Sequence, residues 1–231
     1  MKTENLTPET LAKFFDHTNL HAYADEAAMA KLCDEARELN TMMVAINPRW
    51  TQFCREQLEG TDIHVGAAIG FPLGQNTLET KLFETRDSLE KGATEIDYMI
   101  DQSNVKAGNW DAVEEEMREI TEISHEYNVP CKVILETCYL TDDEKKKICE
   151  IALDTDIDYV KTSTGFGPKG ATVEDVKLMK SIVGDKVKVK AAGGIRDWAT
   201  CKAMIEAGAD RIGTSSSVKI MEEFKKERGL D

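Results

Sequence analysis

The chain alternates between short, wholly apolar runs and longer segments in which apolar residues recur every three or four positions. The first pattern is typical of β-strands buried on both faces, and the second of amphipathic helices that cover a sheet. Strands are predicted at 16–18, 42–46, 63–69, 95–100, 131–135, around 161, around 190, and at 211–213. Helices are predicted at 8–15, 25–39, 53–58, 77–92, 109–127, 141–152, 172–183, 197–207 and 216–224. Tyr127 is predicted to face inward, and Thr141 with Glu144 is predicted to form a capping box.

After the opening helix at 8–15, the pattern gives eight strands that alternate with eight helices, at about 29 residues per unit. Such a repeat favours an α/β fold, a (β/α)8 TIM barrel, as a single domain over 1–231 with a short N-terminal helix. An open, doubly wound sheet uses the same local pattern and stays an alternative.

Composition narrows the class of protein. No apolar run approaches the roughly 20 residues of a membrane span, so no membrane partner is expected. The net charge of −14, without a basic stripe, argues against nucleic acid. The six cysteines are scattered and include no C-x-x-C pair, which is typical of free thiols in the reducing cytoplasm.

Lysines interrupt two apolar strands: Lys161 in DYVKTSTGFG, and Lys190, two positions after Lys188, in VKVKAAGG. A buried ammonium loses its hydration, so burial favours the neutral amine, which is a nucleophile. Two amines in one pocket also repel each other's protons, by roughly 3 kcal/mol or about 2 pKa units at about 5 Å. Either lysine alone is more commonly a solvated side chain, but the pair predicts Schiff-base chemistry.

In a βα barrel the active site lies at the C-terminal ends of the strands, so the polar residues there predict the pocket. Asp97, in EIDYMI, has few polar neighbours in its strand, so it is predicted either to pair with a buried base or to carry a raised pKa. The predicted pocket contains Asp16, Thr18, Asn47, Asp97, Asp101, Glu136, Thr137, Lys161, Thr164, Lys190, Ser215 and Ser216.

Glycine-bearing turns follow the last two strands. Gly193 and Gly194 precede one helix, and the GTSS run from Gly213 to Ser216 precedes another. Exposed amides at a helix N-terminus bind anions, and barrels often hold a phosphate after strands seven and eight. A phosphate site is therefore predicted at these turns.

Two other chemistries are not expected. His17 and His21 are four residues apart but have no evident third metal ligand. Cys138 has no histidine placed by the sequence to activate its thiol. The sequence thus predicts neither a metal nor another cofactor.

Six motifs, in order, resemble those of deoxyribose-phosphate aldolases: IGFPLG from Ile69, EIDYMI from Glu95, KVILETCYL from Lys132, DYVKTSTGFG from Asp158, VKAAGGIR from Val189 and RIGTSS from Arg211. The resemblance runs from about 16 to about 222. It implies a class I, metal-independent aldolase that cleaves 2-deoxy-D-ribose 5-phosphate reversibly to acetaldehyde and D-glyceraldehyde 3-phosphate through a lysine Schiff base. The implied partners are this small sugar phosphate and its aldehydes. A homo-oligomer is compatible with the sequence, which leaves the oligomeric state open.

The resemblance also implies a role for each motif residue. Lys161 would form the Schiff base, Lys190 would perturb it and take part in proton transfer, and Asp97 would work in the proton relay. Asp16, Thr18 and Thr164 are expected in the substrate pocket. The residues implied to hold the phosphate are Gly165, Gly193, Gly194, Gly213, Ser215 and Ser216.

The chain departs from the resemblance at three places: Ala45 stands where a cysteine is common, Asp101 begins DQS instead of Asn-Val-Gly, and the end, Gly229-Leu230-Asp231, lacks the tail tyrosine of some members. Three alternatives stay open. They are a Schiff-base aldolase with another acceptor, a phosphate-binding isomerase barrel that does not use the lysines, and a binding protein that has lost catalysis. The last would lack a lysine or aspartate, and none is missing.

Overall fold

The computed structural model describes residues 3–230, and its eight parallel strands close into a barrel in the order β1 to β8. The TIM-barrel prediction is therefore confirmed, and the alternative of an open, doubly wound sheet is wrong. The strands are β1 (Phe15–Thr18), β2 (Met43–Ile46), β3 (His64–Ile69), β4 (Glu95–Met99), β5 (Cys131–Ile134), β6 (Tyr159–Lys161), β7 (Lys188–Ala192) and β8 (Arg211–Thr214).

Helices cover the outside of the barrel, and polar caps begin several of them. Asp25, Thr77 and Thr141 each accept a backbone N–H at a helix start, and Thr141 forms the predicted capping box with Glu144. The helices are α1 (Pro8–Ala12), α2 (Glu26–Leu39), α3 (Thr51–Gln57), α4 (Leu78–Glu90), α5 (Gln102–Ala107), α6 (Trp110–Glu126), α7 (Asp142–Asp154), α8 (Val173–Val183), α9 (Trp198–Glu206) and α10 (Ser217–Arg228).

The structure corrects the sequence prediction at three places. The opening helix ends at Ala12, and Phe15 belongs to β1, because β1 must pair with β8 to close the barrel. Helix α5 was not predicted; the Asp101 side chain caps it by accepting from the Ser103 and Asn104 amides. Tyr127 was predicted to face inward, but it follows the end of α6 and is 41% exposed.

The strands separate two kinds of interior. Their outward side chains and the helices form the hydrophobic core, which includes Phe15, Tyr98, Met117 and Phe224. The inside of the barrel is instead unusually rich in charge. Seven ionisable side chains are buried there, each at most 5% exposed: Asp16, Glu95, Asp97, Lys132, Lys161, Lys190 and Arg211.

The helices of residues 3–230 include none that is both long and apolar enough to cross a membrane.

Candidate active site

Three of the predicted side chains meet inside the barrel. Lys161 Nζ donates to Asp97 Oδ2 at 2.8 Å, and Lys190 Nζ donates to the same oxygen at 2.6 Å. Because both amines contact one atom, they are close neighbours, as the sequence predicted. All three side chains are buried. The structure thus brings two amines and one carboxylate into a space with little water.

Strand register explains why these side chains meet. Lys161 on β6 lies level with Lys190 on β7, so the two stems enter the barrel side by side. Asp97 reaches them from β4, where it lies level with Lys132 on β5. Inward-facing residues of a closed barrel form layers, so residues far apart in sequence share one layer.

Burial lowers the pKa of Lys161 to about 8, with Lys190 adding to the shift and the Asp97 carboxylate opposing it. The direction matches the sequence prediction, but the order of causes differs. Desolvation is the largest cause, and repulsion by the second lysine is a smaller one. Asp97 contacts both amines, and its carboxylate opposes the lowering of the Lys161 pKa more strongly than Lys190 promotes it.

The Asp97 carboxylate stays ionised although it is buried. Burial by itself would raise its pKa, but Lys132, Lys161 and Lys190 outweigh that effect and hold the pKa well below its usual range. Lys132 Nζ lies 3.0 Å from Asp97 Oδ1, on the side opposite to the other two amines. An aspartate held by three cations is a weak base, so it is suited to relaying a proton more than to keeping one.

Sequence reasoning missed Lys132, Glu95 and Arg211. Lys132 contacts Glu95, and the Arg211 guanidinium lies 3.3 Å from Glu95 and donates from Nε to Asp16 at 2.7 Å. A signal was present in the sequence, because Lys132 and Arg211 are each the one charged residue of their strands and Glu95 begins the strand that contains Asp97. Taken alone, however, a charged residue near the end of a strand is most simply interpreted as a solvated side chain.

A cleft of about 170 Å³ opens above this charged group at the C-terminal ends of the strands. Lys161 is the one of the three central residues that reaches it. Eight of the predicted site residues line the cleft: Thr18, Lys161, Thr164, Gly165, Gly193, Gly194, Gly213 and Ser215. The other lining residues are Leu20, His21, Phe166, Ala192, Ile195, Arg196 and Thr214.

The positions around the cleft require glycine for two different physical reasons. Gly165, Gly193 and Gly194 have φ of +87°, +84° and +78°, in the left-handed region that disfavours side chains. Gly213 is needed for space, because a Cβ there would lie 2.9 Å from the Ala192 Cβ and 3.2 Å from the Lys190 Cε. Gly213 therefore leaves room for the stem of Lys190.

Two of the residues expected to hold the substrate or its phosphate do not line the cleft. Asp16 lies below it, fully buried, with Oδ2 2.5 Å from Lys190 Nζ and Oδ1 held by Arg211. Ser216 is half-buried, and its N–H donates to Thr214 Oγ1 at 2.9 Å. The Asp16 side chain is thus placed to hold Lys190 rather than to contact a substrate.

Other residues of the predicted pocket support its walls. The Thr164 hydroxyl donates to the buried Glu136 carboxylate, which fixes the loop after β6. Asn47 Nδ2 donates to the Leu20 carbonyl at 3.1 Å, which fixes the loop after β1. Asp101 is directed to the start of α5 instead of the cleft.

The structure also bears on the two chemistries that the sequence did not favour, a metal site at His17 and His21 and a nucleophile at Cys138. His17 is buried between Ser217 Oγ at 3.0 Å and Glu35 Oε2 at 2.9 Å, whereas His21 stacks on Tyr23 at the cleft. Within residues 3–230, no group of three possible metal ligands occurs. Burial raises the pKa of the Cys138 thiol, which disfavours the reactive thiolate.

Sequence reasoning also missed the outer wall of the cleft. Phe166 is 53% exposed and packs edge-on against Phe71 at 5.5 Å between ring centres, so the loops after β6 and β3 meet there. Arg196 adds an exposed cation beside the Gly193–Gly194 turn. The cleft therefore combines an apolar wall, a turn of free amides and a cation above a buried amine.

Comparison with known proteins agrees with this geometry. Residues 10–223 match the model of the DeoC/LacD family aldolases. The chain is 59% identical to a deoxyribose-phosphate aldolase of Lactobacillus acidophilus, over 95% of this chain and 92% of that one. It is 52% identical to one of Bacteroides thetaiotaomicron, over 98% and 95%. The tetrameric deoxyribose phosphate aldolase structure from Aeropyrum pernix matches with a TM-score of 0.89 and 35% identity, over 96% and 93%.

Proposed function

The chain belongs to the DeoC/LacD family of aldolases, and we propose that it cleaves 2-deoxy-D-ribose 5-phosphate reversibly to acetaldehyde and D-glyceraldehyde 3-phosphate. One observation carries the assignment of the nucleophile. The Lys161 amine is buried, has a pKa lowered to about 8, and lies at the floor of the cleft. Near neutral pH, a substantial fraction of such an amine is uncharged and able to attack a carbonyl.

The reaction begins with addition of the neutral Lys161 amine to the aldehyde carbon of the open-chain sugar. Loss of water gives an iminium ion, which is an electron sink conjugated to the second carbon. The positive charge forms where the Asp97 carboxylate already contacts the Lys161 nitrogen at 2.8 Å. A preorganised carboxylate at this point stabilises the charge as it develops.

Cleavage breaks the bond between the second and third carbons, and its electrons move to the iminium to form an enamine. The hydroxyl on the third carbon loses its proton as it becomes the aldehyde of D-glyceraldehyde 3-phosphate. Asp97 receives this proton through Lys190 or a water, consistent with the 2.6 Å contact between the two residues. Protonation of the enamine and hydrolysis of the resulting imine release acetaldehyde and restore Lys161.

The phosphate end of the substrate fits the part of the cleft formed by the loops after β6, β7 and β8. Within residues 3–230, nothing accepts from the amides of Gly165, Gly193 and Gly194, which with the polar groups of Ser215 offer donors to an anion there. Arg196 offers a charged donor on the same side. Binding so far from the reacting carbons contributes orientation more than chemistry. Thr18 and Thr164 also line the cleft, which supports placing the sugar carbons along them.

Trapping with borohydride in the presence of acetaldehyde tests this proposal. Mass spectrometry should locate the reduced adduct on Lys161, and Lys161→Ala should lose both the adduct and cleavage of the sugar phosphate. Substantial turnover by Lys161→Ala would reject the nucleophile assignment. Failure of any adduct to form would instead favour an isomerase-type barrel. Comparing cleavage of 2-deoxyribose 5-phosphate with that of a hydroxylated sugar phosphate separates this enzyme from an aldolase of different specificity.

We also propose that the enzyme is a homo-oligomer of the cytoplasm. The tetramer of the Aeropyrum pernix relative supports the first part. The second is supported by the six cysteines, which are all free thiols in the structure, as a reducing compartment would keep them. Sedimentation of the purified protein measures the oligomeric state directly.

A further inference from the structure

Six buried side chains below the cleft form a closed ring in which positive and negative charges alternate. Its contacts run in one circuit: Lys190 bridges Asp16 and Asp97 at 2.5 and 2.6 Å, Lys132 bridges Asp97 and Glu95, and Arg211 bridges Glu95 and Asp16. This group is called the charge ring, and its members are Asp16, Lys190, Asp97, Lys132, Glu95 and Arg211.

Every member of the charge ring has two partners of opposite sign, and the three cations balance the three carboxylates. Lys161 stands outside this balance. Its only ion-pair contact among residues 3–230 is with Asp97 Oδ2, at 2.8 Å, and that oxygen also contacts Lys190. Lys161 is therefore a seventh charge added to a group that is already neutral.

The two lysines consequently differ in what deprotonation costs. A neutral Lys161 gives up one charged contact and leaves the charge ring complete. A neutral Lys190 would give up two, and the Asp16 and Asp97 carboxylates would then face each other without a cation between them. Both amines are buried, so exposure does not distinguish them.

We propose that Lys132, Glu95 and Arg211 are positioning residues that complete the charge ring, and that this ring selects Lys161 rather than Lys190 as the amine that releases its proton and becomes the nucleophile. The ring would also hold the Asp97 carboxylate with Oδ2 toward the two amines, since Lys132 occupies Oδ1 at 3.0 Å. This role rests on the proposed function, because it concerns the lysine of the Schiff base.

The surroundings of the ring contain few other titratable groups. His64 on β3 lies 3.6 Å from Glu95 and is partly exposed. Lys132, Arg211 and the exposed Lys188 each lie over the Tyr159 ring, 5.3–5.8 Å from its centre. On the Lys161 side, Asp97, Lys190 and Asp16 are the charged groups that act on its amine. Among residues 3–230, none of these outer groups forms an ion pair with two ring members, so the ring sets the local charge.

The proposal can be tested by changing the net charge of the ring at residues that do not line the cleft. Removing a positive charge and removing a negative charge should change the proton affinity of Lys161 in opposite directions. Lys132→Met leaves the ring with one excess negative charge, so Lys161 should hold its proton more strongly. Glu95→Gln leaves one excess positive charge, so Lys161 should release its proton more readily. Each change should move the midpoint of the pH dependence by about one pH unit, upward for Lys132→Met and downward for Glu95→Gln. The double variant restores neutrality and should return close to the wild-type midpoint.

The measured quantity is the initial rate of acetaldehyde trapping at Lys161 by cyanoborohydride between pH 5 and pH 10, read by mass spectrometry. Two exposed variants on the helices, Glu114→Gln and Lys146→Met, are the matched controls and should leave the midpoint unchanged. If Lys132→Met does not fold, Glu95→Gln and the double variant still give the sign and its reversal.

The outcomes separate the two proposals. Absence of trapping at Lys161 in the wild-type protein would reject the proposed function itself. Normal trapping with no shift, or with shifts of the same sign in both single variants, would overturn the role of the charge ring. A purely structural role predicts loss of folded protein in each variant and no reversal in the double variant.

Discussion

At the scale of single residues, the burial that makes the Lys161 amine reactive also lowers the stability of the folded protein. An amine whose pKa is lowered from 10.5 to about 8 binds its proton less tightly in the folded state than in the unfolded state. Well below pH 8 the lysine is charged in both states, and the folded state is then less stable by about 3 kcal/mol than it would be with a neutral side chain. This part of the stability returns as the pH rises from about 8 toward 10.5.

Lys161→Met should therefore be inactive but more stable at pH 7. We expect the free energy of unfolding to rise by about 2–3 kcal/mol, with a smaller gain at pH 10, when measured by urea denaturation. Lys190→Met is the matched control. It should lose stability, because it leaves the Asp16 and Asp97 carboxylates without the cation that bridges them. A gain in both variants would contradict the difference between the two lysines.

Gly213→Ala should reduce activity while the barrel still folds. The added Cβ would meet the Ala192 Cβ at 2.9 Å and the Lys190 Cε at 3.2 Å, so the Lys190 stem should shift and disturb its contact with Asp97. We expect a loss of kcat of at least about tenfold with a smaller change in KM. Gly60→Ala, whose Cβ would meet nothing within 4 Å, should leave kcat unchanged and cost only the strain of its positive φ.

At the scale of elements, a buried ion pair holds the end of β4 in place. Lys81 on α4 donates to the Met99 carbonyl at 2.9 Å and to the Glu116 carboxylate of α6. Glu116 in turn accepts from the Asp101 amide at 3.0 Å. The two helices thereby fix the backbone just beyond Asp97, which is the residue that both central amines contact.

Glu116→Ala should be strongly destabilising, because it leaves the fully buried Lys81 ammonium without its partner. We expect a loss of about 3–5 kcal/mol in the free energy of unfolding by urea denaturation. Glu114→Ala on the same helix is the control, since its pair with Arg118 is exposed and should contribute less than about 1 kcal/mol. Similar losses for the two variants would show that burial of the pair is not the cause.

At the scale of the whole molecule, the charge ring joins strands that are distant in sequence. Its members lie on β1, β4, β5, β7 and β8, so the ring couples both ends of the chain through the barrel interior. Its carboxylates also make the barrel sensitive to acid. Burial opposes ionisation of Asp16 and Asp97, but the cations around them hold both pKa values below the usual 3.8.

A carboxyl group with a lowered folded-state pKa binds fewer protons in the folded than in the unfolded state at low pH. Its stabilisation is therefore complete above the unfolded pKa of 3.8 and is lost as the pH falls toward the folded-state pKa. We expect the free energy of unfolding to fall steeply from about pH 5 toward pH 3, as measured by far-ultraviolet circular dichroism in urea. Asp97→Asn should show a shallower fall, and a flat wild-type profile would contradict the prediction.

The sequence by itself determined the repeating units and the identity of the central residues. Apolar strand runs, caps such as Thr141 and the alternation of elements depend only on residues that are close in sequence. Such local properties can therefore be predicted from the sequence alone. The lysines could be recognised for a similar reason, because a charge inside an apolar strand is conspicuous. Helix α5 and the true start of β1 escaped this reading, since both depend on distant pairing or on a single cap.

Only the tertiary structure decided which charges meet. Asp16 and Arg211 are 195 positions apart in sequence, yet closure of the barrel places them in direct contact. Register between strands then determined that Lys190 pairs with two carboxylates and Lys161 with one. It also placed Asp16 below the cleft, in contact with Lys190. Electrostatic energies depend on distance and burial in space, and neither quantity is contained in the order of residues alone.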